Sequence, residues 1–511
     1  ALVLALVMSM SLVTISNAAF KDADKITDGY QEAVEVMNAV GVLVGDENQN
    51  FNAQENLTRA QAAKIISYLL LGNKTAEALA GSGKFTDVAK TSWSAGFVDY
   101  CASTGVVNGV GDGKFDPNGQ LTGYQFAKML LVALGYDATI EKLVGTDWQI
   151  NVSKLANQVG LFAGMEIKGD AALTREQAAQ MAFNTLKAPL VQYSNKGGNI
   201  SINGAEINIG ASNADYLTST NKKAQTISNK EINGKAGTYT VEFAEQYYPG
   251  LVLSDEYVDD FGRPAVAWAY KNKEIGTYVQ TANLVKEYND TVKGKDIYSD
   301  IGYSSISDYD ITNIWVDGKA ESDADFAKDV KKIAKNNKDT FSATGKGVLL
   351  QVFVDDEKEE ITFVVINTYL AVAGADYNTK GEYLLLDVKG LGSRKADLDN
   401  LEEYKKDDVV LVTAAYDYDD NAYVVKSVED AESTKDVTIT AYTTSAKLTD
   451  AEIYTVKTIT ADTKYDVAVK ASWGMSYLDD YNNTTDSLKD ATYNLYFDTY
   501  GNVIGIEQVE A

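Results

Sequence analysis

The sequence predicts a multidomain protein with an all-α N-terminal domain followed by all-β modules of immunoglobulin-like, small-barrel or sandwich type. A chain of 511 residues is too long for one ordinary hydrophobic core. Only five of its 32 tyrosines precede residue 190, and in this first part apolar residues recur at helical spacing. The part after residue 190 contains the other tyrosines and consists of β-branched and aromatic runs. A nine-residue phrase also recurs in the first part, which indicates tandem copies of one unit: LTRAQAAKI at 57–65, LTGYQFAKM at 121–129 and LTREQAAQM at 173–181.

Residues 1–19 are predicted to be a signal peptide whose start is truncated. The stretch ALVLALVMSMSLVTISNAA is apolar and ends in small residues that suit signal cleavage, although no Met or basic residue precedes it. A transmembrane anchor is the alternative, which the short run and its Ser and Thr residues disfavour. The mature protein is therefore expected to be secreted, with no membrane contact after signal cleavage.

Three helical repeats are predicted, at 20–72, 84–136 and 137–187. Leu57 and Leu121 are 64 residues apart, and GVLVG at 41 recurs at the same spacing as GVVNG at 105. Each repeat should form a helix, a loop and a second helix, because the apolar residues after Tyr30 recur at three and four residues. Leu173 follows Leu121 by only 52 residues, so the third repeat diverges from the first two.

Each copy of the repeated phrase contains T-x-x-Q, which predicts a capping box at the start of a helix. The Thr hydroxyl and the Gln side chain would bind the free backbone N–H groups of the first turn. The capping threonines are Thr58, Thr122 and Thr174.

Capping does not explain the arginines that follow two of these threonines. The chain has four arginines in all, and Arg59 and Arg175 occupy the same position of their repeats, where the second repeat has Gly123. The planar guanidinium suits a carboxylate or phosphate held by two hydrogen bonds. We expect an anion contact in a groove; the alternative is a salt bridge within the repeat, for example to Asp22.

The remainder of the chain is predicted to be β-rich. A linker at 188–230 should precede modules at 231–375, 376–435 and 436–511. Three segments pair apolar runs across acidic or Gly-containing turns, as β-hairpins do: VLLQVFVDDEKEEITFVVI, VVLVTAAYDYDDNAYVVKSV and YNLYFDTYGNVIGIEQV. A helix is expected around DADFAKDVKKIAKNN.

Composition excludes several classes of function. A net charge of -27, from 46 basic and 73 acidic residues, argues against nucleic acid as a partner. The absence of histidine and the single Cys101 exclude Ser-His and Cys-His catalysis, disulfides within the chain and Cys-rich metal sites. No catalytic residue, metal site or cofactor is predicted, apart from Ca²⁺ bound by acidic turns, to which no residue is assigned.

The three repeats resemble S-layer homology repeats over residues 20 to about 187. That family's signature is F-x-D, an aromatic-led helix, G-[VIL]-x-x-G, a loop with F-x-P and a T-R-A-E-like phrase. The matching residues are Phe20, Asp22, 41–45 and 58–61 in the first repeat, and Phe85, Asp87, Trp93, 105–109, Phe115 and Pro117 in the second.

The resemblance implies a pseudo-threefold helical domain whose grooves bind a secondary cell-wall polysaccharide, often pyruvylated. A pyruvate ketal carries a carboxylate, which suits an arginine. Gly123 replaces Arg, Gln replaces the motif's Glu three times, and the third repeat lacks F-x-D and F-x-P, so fewer than three grooves are expected to bind. The predicted polymer-binding residues are Asp22, Arg59, Asp87, Trp93, Trp148 and Arg175.

These observations predict a non-enzymatic structural protein of the cell surface, held non-covalently to the wall polymer by its repeats. The β-rich part would self-associate in a surface lattice of the S-layer type. Two alternatives share the same anchor: a glycan hydrolase that uses two carboxylates, and an adhesin.

Overall fold

The computed structural model describes residues 20–168, 170–202, 205–220, 237–341, 344–444, 456–472 and 492–509. The predicted signal peptide lies outside them. The described residues form two compact units, one of 20–255 with 266–278 and one of 256–265 with 279–509. None of the helices in these described ranges is long and apolar enough to cross a membrane.

The first unit contains the helices of the three predicted repeats. Capping boxes are present at Thr58, Thr122 and Thr174, as the sequence predicts, and each is followed directly by the second helix of its repeat. The helices are α1 (Gln31–Ala39), α2 (Arg59–Leu71), α3 (Asn73–Glu77), α4 (Ala95–Ser103), α5 (Gly123–Ala133), α6 (Trp148–Gln158) and α7 (Arg175–Lys187).

A ring of backbone hydrogen bonds joins the three repeats at the residue before each capping threonine. The N–H of Leu57 donates to the carbonyl of Leu173 at 2.8 Å, and the N–H of Leu173 donates to the carbonyl of Leu121 at 2.8 Å. The N–H of Leu121 donates back to the carbonyl of Leu57 at 3.1 Å. All three side chains are buried. The repeats are therefore arranged cyclically around the leucines of the repeated phrase.

The segment after the helices has more structure than the predicted linker at 188–230. Short strands occupy much of it, and Leu190 hydrogen-bonds with Val241 and Leu217. The sequence SINGAEINI contains an Asn-Gly hairpin signal that the prediction did not use; these two residues lie outside the described ones. The elements are β1 (Val191–Gln192), β2 (Gly198–Ile202), β3 (Ala205–Ile209), β4 (Asp215–Tyr216), β5 (Thr218–Ser219), β6 (Tyr239–Thr240) and α8 (Phe243–Tyr247).

A three-stranded sheet then packs on the helices of the first unit. It consists of β7 (Leu251–Val258), β8 (Pro264–Tyr270) and β9 (Lys273–Val279) in the order β7-β8-β9. Trp268 of β8 is buried, and its ring centroid lies 5.4 Å from that of Phe183 on α7. Residues 266–278, predicted to belong to a β-rich module starting at 231, therefore complete the helical core instead.

Two carboxyl groups of α1 accept hydrogen bonds from this sheet. The indole N–H of Trp268 donates to Oε1 of Glu32 at 2.7 Å, and the hydroxyl of Tyr278 donates to Glu35. Burial raises the pKa of Glu35 to about 7, against the opposing effect of the Tyr278 hydrogen bond. Strand and helix are thus joined by hydrogen bonds to two carboxyl groups in a buried interface.

The second unit begins with a mixed sheet rather than an all-β module. Its strand order is β10-β13-β14-β11-β12, and β11 runs parallel to β14. The helix predicted around residue 323 is confirmed as α11, whereas two further helices were not predicted. The elements are β10 (Leu284–Tyr288), α9 (Gly294–Ile301), α10 (Tyr303–Asp308), β11 (Asp310–Val316), β12 (Lys319–Ala320), α11 (Asp323–Val330), β13 (Val348–Asp355) and β14 (Glu360–Asn367).

The next sheet is fully antiparallel, with strand order β17-β16-β15-β18-β19. Its edge strands, β17 and β19, contact each other, so the sheet curls back on itself. Its strands are β15 (Tyr369–Ala373), β16 (Leu384–Val388), β17 (Gly392–Ala396), β18 (Val409–Asp417) and β19 (Ala422–Asp430).

The last sheet has the order β20-β24-β25-β23-β22-β21 and one parallel pair, β23 with β25. The three predicted hairpins are confirmed as β13–β14, β18–β19 and β24–β25. The sheets change at 367–369 and 430–432, a few residues before the predicted boundaries at 375 and 435. The strands are β20 (Glu432–Thr438), β21 (Ala441–Thr444), β22 (Val456–Thr460), β23 (Lys464–Ser472), β24 (Thr492–Phe497) and β25 (Val503–Gln508).

Candidate functional site

Arg59, the first residue of α2, contacts a loop of the second repeat. Its Nε donates to the carbonyl of Phe115 at 2.8 Å, and its Nη2 donates to the carbonyl of Asn108 at 2.9 Å. The guanidinium carbon lies 4.6 Å from the centroid of the Phe115 ring, which is the geometry of a cation–π contact. The capping threonine therefore places the arginine where it links two repeats.

Arg175, the first residue of α7, repeats this arrangement on the first repeat. Its Nε donates to the carbonyl of Phe51 at 2.8 Å, and its guanidinium carbon lies 5.2 Å from that ring centroid. In the described residues neither arginine forms an ion pair within 4.0 Å. The alternative of a salt bridge within the repeat is therefore wrong: the acceptors are backbone carbonyls of a neighbouring repeat.

The two predicted aspartates, Asp22 and Asp87, bind backbone N–H groups of the same loops. The carboxylate of Asp22 accepts from the N–H groups of Phe51 at 2.6 Å and Asn52 at 2.8 Å. Asp87 accepts from the N–H groups of Phe115 at 2.8 Å and Asp116 at 2.7 Å. Each loop phenylalanine is thus bound through its N–H by an aspartate of its own repeat and through its carbonyl by an arginine of another.

We call these sites the Arg59 junction (Arg59, Phe115, Asp87) and the Arg175 junction (Arg175, Phe51, Asp22). Burial lowers the pKa of both arginines, and nearby carboxylates oppose this, so both remain cationic. For Asp87, desolvation would raise the pKa, but the N–H donors of Phe115 and Asp116 outweigh it and hold the pKa below its usual value. The Arg59 junction therefore contains a partly buried cation beside an ionised carboxylate.

The third junction has a different composition. Phe51 and Phe115 each stand seven residues before a capping threonine, and the residue at that position before Thr174 is Ile167. A Cβ added to Gly123 would lie 2.6 Å from Cγ2 of Ile167. In this Gly123 junction (Gly123, Ile167), the isoleucine occupies the space beside the start of α5. Glycine stands here in place of the arginine, and isoleucine in place of the phenylalanine.

The two predicted tryptophans lie at the first helices of their repeats. Trp93 is 60% exposed, and its ring centroid is 6.4 Å from that of Phe97. Trp148 begins α6, and Nζ of Lys128 lies 6.0 Å from its ring centroid. Neither ring takes part in the hydrogen bonds or cation–π contacts that define the junctions.

Sequence reasoning missed the loop phenylalanines as partners of the arginines. The usable signal was the constant spacing of seven residues between each phenylalanine and the capping threonine. It also missed Glu176, which is buried and accepts from the N–H of Thr27 at 3.0 Å, its hydroxyl at 2.9 Å and Nε2 of Gln54 at 2.9 Å. In the described part of the chain, no group of three metal-ligating side chains is found, and binding of Ca²⁺ stays a prediction.

The geometry defines a tandem-repeat helical domain closed by contacts between its repeats. Residues 19–63 and 84–127 match the S-layer homology domain family. The chain thus contains an S-layer homology region in its first two repeats, and a β-rich part follows the helices.

Several curated proteins are similar to this chain. Over 266 residues it is 25% identical to a cell surface protein of Thermoanaerobacter kivui, covering 49% of this chain and 34% of that protein. Over 195 residues it is 30% identical to the surface-layer 125 kDa protein of Lysinibacillus sphaericus, a match that covers 36% of this chain and 16% of that protein. Over 187 residues it is 27% identical to endo-1,4-beta-xylanase A of Thermoanaerobacterium saccharolyticum, a match that covers 32% of this chain and 16% of that protein. The chain spans about a third or less of the length of these relatives.

Proposed function

We propose that this chain is a secreted structural protein of the cell surface, anchored non-covalently to a secondary cell-wall polysaccharide by its helical unit. The observation that carries the proposal is the match of residues 19–63 and 84–127 to the S-layer homology domain. The names of the relatives from Thermoanaerobacter kivui and Lysinibacillus sphaericus support a surface location.

We assign the third repeat, 137–187, to the same domain type. Its support is structural: it carries the third capping box, and Leu173 completes the hydrogen-bonded ring with Leu57 and Leu121. The family match covers only the first two repeats, consistent with the Phe-to-Ile and Arg-to-Gly replacements at the Gly123 junction.

The Arg59 and Arg175 junctions are the proposed polymer sites, with the tryptophans Trp93 and Trp148 as outlying sugar contacts. Nε of each arginine, and Nη2 of Arg59, are already used for loop carbonyls. Within the described residues, the other guanidinium N–H groups have no protein acceptor, so they can bind an acidic group of the polymer. A pyruvate ketal is the group we favour, because its carboxylate matches the guanidinium fork. The Gly123 junction offers no such donor.

Co-sedimentation of the chain from residue 20 onward with purified peptidoglycan tests this anchor. Material that retains its secondary polymer should pellet the protein, and chemical removal of the polymer should abolish pelleting. Equal pelleting with stripped peptidoglycan would show that the anchor is not polymer-specific.

The β-rich unit is proposed to self-associate in a surface lattice, with Ca²⁺ screening its acidic turns. The xylanase relative makes a wall-anchored glycan hydrolase the second candidate. Electron microscopy of the purified protein, with and without Ca²⁺, separates the two: two-dimensional arrays support the lattice, whereas dispersed particles with release of reducing sugar from wall glycan support the enzyme.

A further inference from the structure

The second unit contains a concentrated run of positive charge, KKIAKNNK at 331–338, directly after α11. The run has four lysines and no acidic residue, in a chain whose net charge is -27. Apart from windows that overlap this run, no eight-residue window of the sequence has four basic residues. Lys331, Lys335 and Lys338 are exposed, and none of the three has a carboxylate within 4.0 Å among the described residues. Their charges are therefore available to a partner.

The start of α9 adds two lysines to this run. The N–H of Gly294 donates to the carbonyl of Asp339 at 3.1 Å, and the N–H of Lys295 donates to the carbonyl of Asn337 at 2.9 Å. Three aspartates adjoin the six lysines, and two of these aspartates pair with Lys295 and Lys332, so the surface keeps a positive charge. We call this set the lysine surface: Lys293, Lys295, Lys331, Lys332, Lys335 and Lys338.

The lysine surface lies at the end of the mixed sheet where β13 begins. The N–H of Gly347, the residue before β13, donates to the carbonyl of Asn289, the residue after β10, at 3.3 Å. The N–H of Phe341 donates to the carbonyl of Val292 at 2.8 Å. These bonds hold the segment that leads into α9 beside the segment that follows the lysine run, and both lie at this end of the sheet.

The opposite end of β13 carries a concentrated negative charge. The turn to β14, DDEKEE at 355–360, has five acidic residues and one lysine, and we call it the acidic turn. Glu357 and Glu359 are exposed. The eight residues of β13 place this turn about 23 Å from the start of the strand. A cavity of about 320 Å³ lies beside the turn, and five of its lining side chains are polar: Gln280, Asn283, Asp355, Asp356 and Glu357.

We propose that the lysine surface of one copy of this chain binds the acidic turn of a second copy, so that the copies join head to tail. The inference rests on the proposed self-association of the β-rich unit and names the contact that drives it. Because the two surfaces are different, one contact leaves a lysine surface and an acidic turn unused, and the contact can repeat from copy to copy. Rows of this kind are the element from which a surface lattice is built.

Charge complementarity favours a second copy as the partner. Whole chains with a net charge of -27 repel each other, so electrostatic association requires a local match of opposite charges. An acidic wall polymer would also suit the lysines, but it would leave the acidic turn at the opposite end of the sheet unexplained. Each exposed ion pair is weak and is screened by salt. The contact therefore depends on several lysines together and should weaken as salt is added.

Charge reversal at each end, followed by light scattering of the full chain at a fixed Ca²⁺ concentration, tests the contact. Lys335→Glu with Lys338→Glu should lower the self-association constant on the order of tenfold, because two attractive contacts become repulsive. Glu357→Lys with Glu359→Lys should lower it to a similar extent. An equimolar mixture of the two double variants should associate as strongly as the parent, since each reversed surface then meets a complementary one.

Lys380→Glu with Lys405→Glu is the matched control. Both lysines are exposed in loops of the antiparallel sheet, and their reversal changes the net charge as much as the reversal at the lysine surface does. This variant should associate as the parent does.

The contact is overturned, and the lattice stands, if the parent associates and reversal at the lysine surface has no more effect than the control. The same holds if the mixture of the two double variants fails to recover association. A parent that stays monomeric overturns the lattice together with the contact. If reversal at the lysine surface leaves association unchanged and lowers co-sedimentation with polymer-bearing peptidoglycan, this surface binds the polymer, and the head-to-tail contact is wrong.

Discussion

The Arg59 and Gly123 junctions have different residues at the same position of the repeat. Both have a capping box and both follow a leucine of the hydrogen-bonded ring. Only the Arg59 junction adds a guanidinium over a phenylalanine ring with two carbonyl acceptors. The difference shows that the cap and the ring suffice for the fold, whereas the arginine–phenylalanine pair is an addition that can be lost as a pair.

Phe115→Ala should have the largest effect on this comparison. The ring is fully buried and its centroid lies 5.4 Å from that of Phe85, so its loss should cost about 3–5 kcal/mol in the free energy of unfolding. Chemical denaturation of the parent and the variant measures this. Ile167→Ala is the matched control at the Gly123 junction and should cost less, since that side chain is only partly buried. Equal costs would mean that the two junctions are energetically alike.

Gly123→Arg should destabilise the domain by about 1–3 kcal/mol, because the new side chain collides with Ile167. The double variant Gly123→Arg with Ile167→Phe should recover part of that loss and add a polymer site. Melting temperature and the stoichiometry of polymer binding report the two effects. If Gly123→Arg alone adds a polymer site, Ile167 does not block this groove.

Arg59→Lys should lower polymer affinity several-fold and cost about 1–2 kcal/mol of stability, since Lys cannot reproduce the two carbonyl contacts and the stacking together. Arg175→Lys should cost less stability, because a single carbonyl contact is lost. Binding isotherms and melts on both variants check this. Arg394→Lys, in the second unit, is the control and should bind as the parent does; normal binding by Arg59→Lys would make the arginine purely structural.

Thr58→Ala should have the smallest effect, about 1 kcal/mol of stability with polymer affinity nearly unchanged. Thr122→Ala should cost the same, because the caps of the two junctions are equivalent. A thermal melt of each variant tests the equivalence. If Thr58→Ala costs markedly more stability than Thr122→Ala, the cap at Thr58 also supports the arginine contact.

The sequence predicted the features of the helical unit that depend on local spacing. Thr58 and Gln61 form their capping box within one turn, so the pattern alone identifies it. The partner of Arg59 is 56 residues away, and no local rule states that the arginine of one repeat reaches the phenylalanine of the next. Asp22 and Asp87 were predicted to bind the polymer, which stays a prediction, and in this fold their carboxylates accept from loop N–H groups.

The boundary of the helical unit was misplaced for a similar reason. β8 and β9 show the alternation of strands, and a strand pattern does not reveal which core it covers. Trp268 and Tyr278 reach back to α1 across more than 200 residues of sequence. In the second unit the hairpins were predictable because each turn is short, whereas α9 and α10 lie between strands and follow no repeated motif.

The ring of Leu57, Leu121 and Leu173 gives this domain a closed topology. An open solenoid has a first and a last repeat, which need polar outer faces and allow repeats to be added or removed singly. A closed ring has neither end, so each repeat shields its neighbours on both sides. Duplication or deletion of a single repeat would break the circle, and the three copies should therefore unfold in one cooperative step and be inherited as a set.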